Sequence, residues 1–381
     1  MSNQSKNLRL ISLDALRGFD MFWIMSGEHI IHALAETTHI PAFEWMSEQL
    51  HHTAWNGITF YDMIFPLFLF IAGASMPFSM QKKLQHFAVE EPFQLPSESK
   101  NALYWSMIQR TFKLILLGMI VNGLLKWNGY EQTRIASVLG RIGLAWLFAG
   151  FIYLNGNTKT QVFWFCFILL FYWVVMKLVP VPGFGAGVLT KDGSLASYVD
   201  RLFLPGRLHS KVFDPEGLLS TIPAIGTALL GVFTTTFLKS SYFEQRYAKI
   251  GIITLAGLAL LLIGLVWDFS FPINKRLWTS SFVCVVGGFS MLFFVIFYLI
   301  IDIWGFQKWA SPFIWIGSNS ILIYMASEGM VNFGYTANFL FGGIISHLPE
   351  HWHHVLTACS VTFLQIILLK ILYKNKVFLK V

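Results

Sequence analysis

The chain has 381 residues, of which 55% are hydrophobic and 12% are charged. Ordinary globular domains carry about 25% charged residues, so this composition excludes a typical soluble protein and predicts a polytopic membrane protein. The formal net charge is +7, but no basic run alternates with aromatic residues. We therefore attribute the charge to a membrane surface rather than to nucleic acid. The three cysteines lack the spacing of zinc ligands or of a disulfide framework, so we expect no metal centre.

Ten segments are long and apolar enough to cross a bilayer, which takes about 20 helical residues. We predict an all-α fold in which residues 1–381 form a single transmembrane bundle, without an internal repeat or linker. The predicted helices lie near residues 11–35, 59–80, 102–125, 134–154, 160–179, 216–238, 248–267, 277–301, 310–327 and 353–373.

The distribution of lysine and arginine predicts that both termini are cytoplasmic. Loops 36–58 and 328–352 contain neither residue, whereas loop 180–215 contains four and is an exception to the rule. In this orientation five loops face the extracytoplasmic side, and nearly all polar motifs fall in or beside them. We therefore expect a functional site at the extracytoplasmic end of the bundle.

The first predicted helix carries a polar stripe. At 100° per residue, Asp14, Arg17, Glu28 and His32 fall within about 60° of one another on a helical wheel. Such a stripe faces the bundle interior or a water-filled cavity, because ionisable groups are costly in lipid. For Asp14 and Arg17 an internal ion pair explains the pattern equally well. For Glu28 and His29 we favour positions that line a cavity.

Two arginines open the fourth predicted helix. Arg134 and Arg141 are seven residues apart, about two turns, and therefore share a face. Arg134 is close enough to the interface to extend its side chain to water. Arg141 is deeper, so we expect a carboxylate or an anionic ligand beside it. Structural pairing and ligand binding are both open at this point.

The segment Asp214-Pro215-Glu216 has two interpretations. It is typical of a helix start, with Asp214 as the N-cap, Pro215 at the first position and Glu216 favourably placed near the helix dipole. Alternatively, two acids at the membrane edge would bind the amine or the hydroxyl groups of a polar substrate.

The stretch from His51 to Pro66 is the most unusual in the chain. It places two histidines, an Asn-Gly turn and Asp62 directly before an apolar helix. Ionisable groups beside a bilayer core are usually retained for a task, although a histidine in a loop often just faces water. A histidine titrating near neutrality suits proton transfer.

Seven motifs occur in order over nearly the whole chain, and together they resemble the transmembrane part of the heparan-alpha-glucosaminide N-acetyltransferase family and its bacterial relatives. The motifs are Arg9-Leu10-x-Ser12-Leu13-Asp14-x-x-Arg17-Gly18, His52-x-x-Trp55-Asn56-Gly57-x-Thr59-x-x-Asp62-x-x-Phe65-Pro66, Arg134-Ile135-x-x-Val138-Leu139-x-Arg141, Asp214-Pro215-Glu216-Gly217, Pro272-Ile273-Asn274-Lys275-x-Leu277-Trp278, Asn319-Ser320-Ile321-Leu322 and Tyr373-Lys374-Asn375-Lys376-Val377-Phe378.

The resemblance implies transfer of an acetyl group from cytosolic acetyl-CoA across a membrane to the amine of a terminal glucosamine. It also implies a role for the histidine of the His-x-x-Trp-Asn-Gly motif, which is His52 and not His51. We expect His52 to act as a general base or as a nucleophile that forms an acetyl-imidazole. Asp62 would orient His52 or bind the acceptor.

The remaining site candidates divide into two sets. Those predicted to contact the acceptor are Glu28, His29, Trp55, Asn56, Asp214, Glu216 and Asn274. Those predicted to contact the phosphates of CoA, or to stabilise the tetrahedral oxyanion, are Arg134, Arg141 and Lys275. We expect N- or O-acetylation of an amino sugar or a related glycan, in the inner membrane of a bacterium, with membrane lipid and a second copy of the chain as candidate partners.

Two departures from the family pattern matter. Its lysosomal members carry a lumenal domain and one more membrane helix, both of which we expect this chain to lack. An asparagine-tyrosine-glycine stretch of the family is replaced by Ser26-Gly27-Glu28-His29. Because this region would help to form the acceptor pocket, the acceptor is the least defined part of the prediction.

A transporter or flippase of an anionic sugar or lipid precursor is the alternative. Charges within the membrane and helix-breaking prolines suit it, but the sequence has no inverted repeat and no broken helices at corresponding positions. An assembly protein fits less well, because the ionisable groups gather on one side.

Overall fold

The computed structural model describes residues 10–89, 91–127, 129–240 and 245–379, so Arg9 of the first motif lies outside the described residues. The described chain is mostly α-helical, as predicted, with one short antiparallel hairpin of β1 (Pro180–Val181) and β2 (Gly185–Ala186). The helices are α1 (Ile11–Phe22), α2 (Glu28–Thr38), α3 (Pro41–Gln49), α4 (Phe60–Ala74), α5 (Met76–His86), α6 (Ser97–Val121), α7 (Val138–Asn155), α8 (Thr158–Leu178), α9 (Leu195–Phe203), α10 (Leu218–Lys239), α11 (Arg246–Asp268), α12 (Ser280–Tyr298), α13 (Ser311–Ser318), α14 (Ser320–Met325), α15 (Phe333–Ile345) and α16 (His353–Lys374).

Seven helical segments in the described residues are long and apolar enough to cross a membrane, and the chain is an integral membrane protein. They lie at Phe60–His86, Val138–Asn155, Thr158–Leu178, Leu218–Lys239, Arg246–Asp268, Ser280–Ile303 and Glu350–Lys374. The first and ninth predicted spans also contain helix, but a π-helical turn at Trp23–Gly27 and a non-helical Asn319 interrupt them. The count of ten spans and the cytoplasmic position of both termini stay predictions.

Three regions predicted as loops contain helices, which corrects that part of the prediction. α3 lies within 36–58, α9 within 180–215 and α15 within 328–352. These helices have 9, 9 and 13 residues. They are too short to produce the long apolar runs from which membrane helices are predicted.

Two predicted helix starts are wrong, and each error has a local cause. α7 begins at Val138 rather than at Arg134, because the Ser137 hydroxyl accepts a hydrogen bond from Gly140 N (3.0 Å) and caps the helix there. α10 begins at Leu218, after Gly217. Asp214 is therefore not its N-cap.

Small residues bring the central helices into close contact. A Cβ atom on Gly73 of α4 would collide with the carbonyl of Ala228, and one on Gly231 of α10 with the carbonyl of Phe70. In membranes such positions allow helix backbones to approach closely. α4, which begins at the unusual His51–Pro66 stretch, is thus fixed against α10 in the core.

The polar stripe predicted along the first helix is divided. The π-helical turn between α1 and α2 adds a residue to one turn and rotates α2 relative to a continuous α-helix. Asp14 and Arg17 lie 3.4 Å apart, which confirms the ion pair, and Arg17 also donates to Ser75 Oγ (2.9 Å). Glu28 and His32, beyond the turn, reach different neighbours.

Candidate active site

A cavity of about 380 Å³ lies beside the N-terminus of α4. We call it the His52 cavity. Its polar lining comes from several separate segments of the chain, and includes His52, Tyr61, Asp62, Arg134, Glu216 and Lys275. Four of the seven sequence motifs therefore meet at one place, as the prediction of a single site requires.

His52 and Asp62 form a hydrogen-bonded pair. His52 Nδ1 lies 2.8 Å from Asp62 Oδ1, and Asp62 is only 1% exposed. The other carboxylate oxygen, Oδ2, accepts from Thr53 N (3.2 Å), Thr53 Oγ1 (3.0 Å) and Thr59 N (3.3 Å). These donors fix the plane of the carboxylate. An ionised carboxylate only accepts, so Nδ1 carries the ring proton and Nε2 keeps its lone pair for chemistry.

Lys275 is the third member of this group. Its Nζ lies 3.4 Å from Asp62 Oδ1, 3.1 Å from His52 Nδ1 and 3.5 Å from His52 Nε2. Burial lowers the pKa of Lys275, and the neighbouring Asp62 carboxylate opposes that shift. The site therefore holds a cation directly beside the imidazole ring.

Asn56 and Asn274 join the two segments that carry His52 and Lys275. Asn274 Nδ2 donates to Asn56 Oδ1 (3.1 Å), while Asn274 Oδ1 accepts from Leu277 N (2.8 Å). Gly57 N donates to Ile273 O (2.8 Å) beside them. This clamp sets the distance between His52 and Lys275.

Trp55 anchors the same segment on its other side. Its Nε1 donates to Leu189 O (2.8 Å), and its ring packs edge-on against Phe213. The described residues that line the His52 cavity do not include Trp55, Asn56 or Asn274. Their predicted contact with an acceptor stays a prediction; the structure gives them a positioning role.

Arg134 is paired internally with both predicted acids. Its Nε and Nη2 bind Asp214 Oδ2 (2.8 Å) and Oδ1 (2.7 Å), and Nη2 also contacts Glu216 Oε2. Burial alone would lower the pKa of Arg134, but the two carboxylates outweigh it and raise that pKa. Asp214 is fully buried. Glu216 and Arg134 line the cavity, so this cluster presents a net negative charge to it.

Arg141 forms no ion pair with a carboxylate of the described residues. The side chain is 2% exposed, and its Nη2 donates to Gly217 O (3.3 Å) and contacts Ser220 Oγ. Its guanidinium lies 4.9 Å from the centre of the Trp278 ring, a cation–π contact. In the described part of the chain its Nε and Nη1 have no hydrogen-bond partner. The alternative, an anionic ligand beside Arg141, stays a prediction.

Glu28 and His29, predicted as neighbours in one acceptor pocket, have different surroundings. Glu28 hydrogen-bonds Tyr61, whose ring lies 4.8 Å from that of His52. His29 lines a second cavity of about 460 Å³ between α2 and α16. We call it the imidazole cavity. Only Glu28 is therefore linked to the His52 cavity.

A further cavity of about 260 Å³, the arginine cavity, contains Arg17, Ser75 and Arg110. Arg110 lies 4.2 Å over the ring of Trp146, and its buried Nε has no hydrogen-bond partner in the described residues. The sequence analysis did not single out Arg110. An arginine in the middle of the third predicted helix was nevertheless a signal of the same kind as Arg141.

A small apolar cavity of about 30 Å³, the neck, lies between the His52 cavity and the arginine cavity. The neck shares Phe65 and Val138 with the His52 cavity, and Phe68 and Leu139 with the arginine cavity. From Asp62 to Ser75 the three cavities follow 13 residues of chain, mostly α4, a rise of about 20 Å. They therefore form a row through much of the bundle.

These observations define a helical integral membrane protein with a His–carboxylate pair at one end of a row of three internal cavities. The family model described as "Heparan-alpha-glucosaminide N-acetyltransferase, catalytic" matches residues 9–264, and the chain belongs to this family.

Two curated relatives extend the comparison. A protein of Mus musculus is 28% identical over 385 aligned positions, covering 87% of this chain and 56% of that protein. A protein of Homo sapiens is 30% identical over 386 positions, covering 87% of this chain and 55% of that protein. Both are named heparan-alpha-glucosaminide N-acetyltransferase. The chain thus spans about half the length of the curated relatives it matches.

Proposed function

We propose that this chain is a membrane acetyltransferase that moves an acetyl group from acetyl-CoA to the amine of a glucosamine-bearing acceptor. Membership of the family and the names of its two relatives support the reaction class. The observation that carries the proposal is the position of His52, held by Asp62 at the end of the row of three cavities. A positioned histidine of this kind suits proton transfer during acyl transfer.

The order of the three cavities along α4 suits an elongated donor. Acetyl-CoA is an elongated molecule with phosphates at one end and a thioester at the other. The arginine cavity offers Arg17 and Arg110 to the phosphates, and the apolar neck would widen around the connecting arm. The thioester would then reach His52. In the predicted orientation Arg17 lies toward the cytoplasmic end of α1, where cytosolic acetyl-CoA is found.

In this proposal Arg17 and Arg110 are the main phosphate contacts, in place of Arg134 and Arg141. Arg134 is already paired with two carboxylates, and Arg141 is closed off behind Trp278 and Gly217. Arg110 keeps an unpartnered buried Nε among the described residues. A hydrogen bond to a charged group contributes about 1.5–3 kcal/mol, so an anion there would be bound appreciably more tightly.

Substitution of Arg110 tests the donor site. Arg110→Gln should raise KM for acetyl-CoA by roughly tenfold, since about 1.4 kcal/mol corresponds to that factor, with little change in KM for the acceptor. Lys113→Gln is the matched control, because Lys113 lies one turn further on the same helix and is exposed. Equal KM values for acetyl-CoA in the two variants would rule out a phosphate contact at Arg110.

At the reacting end, His52 moves the proton. Nε2 takes a proton from the acceptor nitrogen as the new C–N bond forms and the C–S bond breaks, and then returns it to the departing thiolate. In the alternative route Nε2 itself attacks the thioester and expels the CoA thiolate, which leaves the acetyl group on the ring. The acceptor amine then takes the acetyl group from Nε2, and the proton that the amine loses passes to the freed imidazole. In both routes Asp62 stabilises the charged ring through Nδ1.

Lys275 supplies the electrostatic part of the reaction. Its Nζ lies within 3.5 Å of His52 Nε2, close to where a tetrahedral oxyanion would develop beside the attacked carbon. A fixed cation in a partly enclosed site stabilises such a charge without reorganising water. The acidic Glu216 on the opposite wall would attract the cationic amine of the acceptor.

Transfer across a sealed membrane tests the function. Proteoliposomes receive acetyl-CoA with a labelled acetyl group on one side and glucosamine on the other. The proposal predicts labelled N-acetylglucosamine on the acceptor side and none without protein. Movement of unmodified glucosamine without acetyl-CoA would instead show a transporter. Binding of CoA without transfer to any of a panel of amino sugars would refute the reaction class.

A further inference from the structure

A pair of stacked histidines lies next to the proposed active site and takes no part in the proposed chemistry. The ring of His32 on α2 stacks on that of His51, with centroids 4.4 Å apart and planes inclined by 18°. His32 Nδ1 also lies 2.7 Å from Ser47 Oγ on α3. The two rings thus join α2 to the segment that follows α3.

Solvent has access to this stack from the imidazole cavity. His32 lines that cavity together with His29, His353, His354 and Glu36. The cavity is about 460 Å³ in volume and opens to the surface. Protons can therefore reach His32 without passing through the His52 cavity.

The stack is mechanically linked to the His52–Asp62 pair. His51 directly precedes His52, and its carbonyl accepts a hydrogen bond from Thr59 Oγ1 (2.7 Å). The backbone of Thr59 in turn donates to Asp62 Oδ2 (3.3 Å). A displacement of His51 would therefore disturb both partners of the pair.

We propose that the His32–His51 stack is a pH-sensitive switch that holds the His52 segment in place near neutrality and releases it in acid. When neither ring or only one ring is protonated, the two rings can stay face to face. In the singly protonated stack the charged ring packs on the neutral one. A second proton places two like charges 4.4 Å apart, and their repulsion separates the rings. His51 then moves, and His52 loses its alignment with Asp62. Its effect on rate rests on the proposed function; its effect on structure does not.

The charged neighbours act in both directions. Burial and the neighbouring imidazoles of His51 and His29 disfavour protonation of His32, whereas the carboxylates of Glu28 and Glu36 favour it. The other titratable groups on the elements around the stack are Glu44 and Glu48 on α3, and His353 and His354 on α16. Loop 36–58 contains no lysine or arginine. The rings should therefore separate only in acid, below about pH 6.

The steepness of the acid limb of the rate profile is the first test. A catalytic histidine alone gives a slope of about one proton, so the wild type should fall more steeply than that below about pH 6. His51→Phe and His32→Phe keep a flat ring but cannot be charged, and both should follow the shallower slope. His354→Phe, a cavity residue outside the stack, should keep the steep one. A shallow wild-type limb, or a steep limb in both stack variants, would overturn the proposal.

Hydrogen exchange gives a readout that needs no activity. Peptides covering residues 48–59 should lose protection on acidification in the wild type and in His354→Phe, beyond the intrinsic effect of pH, but not in His51→Phe or His32→Phe. Unchanged protection in the wild type would overturn the switch even if transfer is observed. If no transfer is found at all, the proposed function fails while the exchange result still decides the switch.

Discussion

His52 Nδ1 lies 2.8 Å from Asp62 Oδ1, and the second oxygen of that carboxylate is occupied by the backbone and hydroxyl donors of Thr53 and by Thr59 N. These donors fix the orientation of the Asp62 carboxylate, and its Oδ1 is left for His52 and Lys275. Asp62, which is held by the start of α4, fixes the tautomer and the ring orientation of His52. This relationship is the basis of the first prediction.

Asp62→Asn should lower kcat by about 10²–10⁴-fold with little change in KM for acetyl-CoA, because the amide cannot stabilise a charged ring. The amide oxygen can still accept from Thr59 N, so the helix start and the melting temperature should be nearly unchanged. Parallel measurement of kcat and of thermal unfolding in detergent checks this. A melting temperature that falls together with kcat would point to a structural role instead.

Lys275 should control the alkaline side of the rate profile. Burial lowers its pKa, against the influence of Asp62, so it loses its charge at a lower pH than an exposed lysine. The wild-type rate should therefore decline with rising pH before that of Lys275→Arg, whose guanidinium stays charged. Lys275→Met should lower kcat by about 10²–10³-fold at the pH values where Lys275 is charged in the wild type, as expected for loss of an oxyanion donor. Identical alkaline limbs in the wild type and Lys275→Arg would refute the assignment.

Arg134 should matter mainly for stability. Arg134→Met leaves Asp214 buried and unpaired, which should cost about 3–5 kcal/mol of unfolding free energy. Arg134→Met combined with Asp214→Asn removes both charges and should recover part of the loss, because the amide oxygen still accepts from His209 N and Glu216 N. Thermal unfolding of the single and double variants decides this. Loss of acetyl-CoA binding in a fully stable Arg134→Met would favour the original phosphate assignment.

Asp200 should make the protein less stable as pH rises. Burial raises the pKa of this 1% exposed carboxyl to about 7, whereas in the unfolded chain it titrates at about 4. Between these values the folded state holds a proton that the unfolded state has released, so stability falls with rising pH across that window. Asp200→Asn should match the wild type near pH 5 and melt at a higher temperature near pH 8. Equal melting temperatures at both pH values would contradict a raised pKa.

Much of the architecture could be predicted because lipid imposes a simple rule. An apolar run of about 20 residues is a strong signal, and each predicted range contains helix. The short helices α3, α9 and α15 leave no such signal. They are too short to form such a run, although α15 is itself apolar.

The site could be predicted only in part, for a related reason. The His52–Asp62 pair lies within one motif, so spacing alone brings it near the start of a helix. Lys275 is 223 residues from His52, and Asp214 is 80 residues from Arg134. The local pattern of Asp214-Pro215-Glu216 is that of a helix cap, and only the tertiary fold shows that Asp214 is used as a counter-ion.

The comparison of His52→Ala with His51→Ala tests the central claim most directly. Both variants change one of two adjacent histidines, but only His52 contacts Asp62, while His51 stacks on His32. Transfer from labelled acetyl-CoA to glucosamine is measured near pH 7 for both, with the melting temperature as a check on folding. We predict that His52→Ala abolishes transfer and keeps the wild-type melting temperature, whereas His51→Ala, which loses the stack on His32 but no reacting group, loses only part of its activity. If the two variants lose activity to the same extent, His52 is not the residue that carries the reaction.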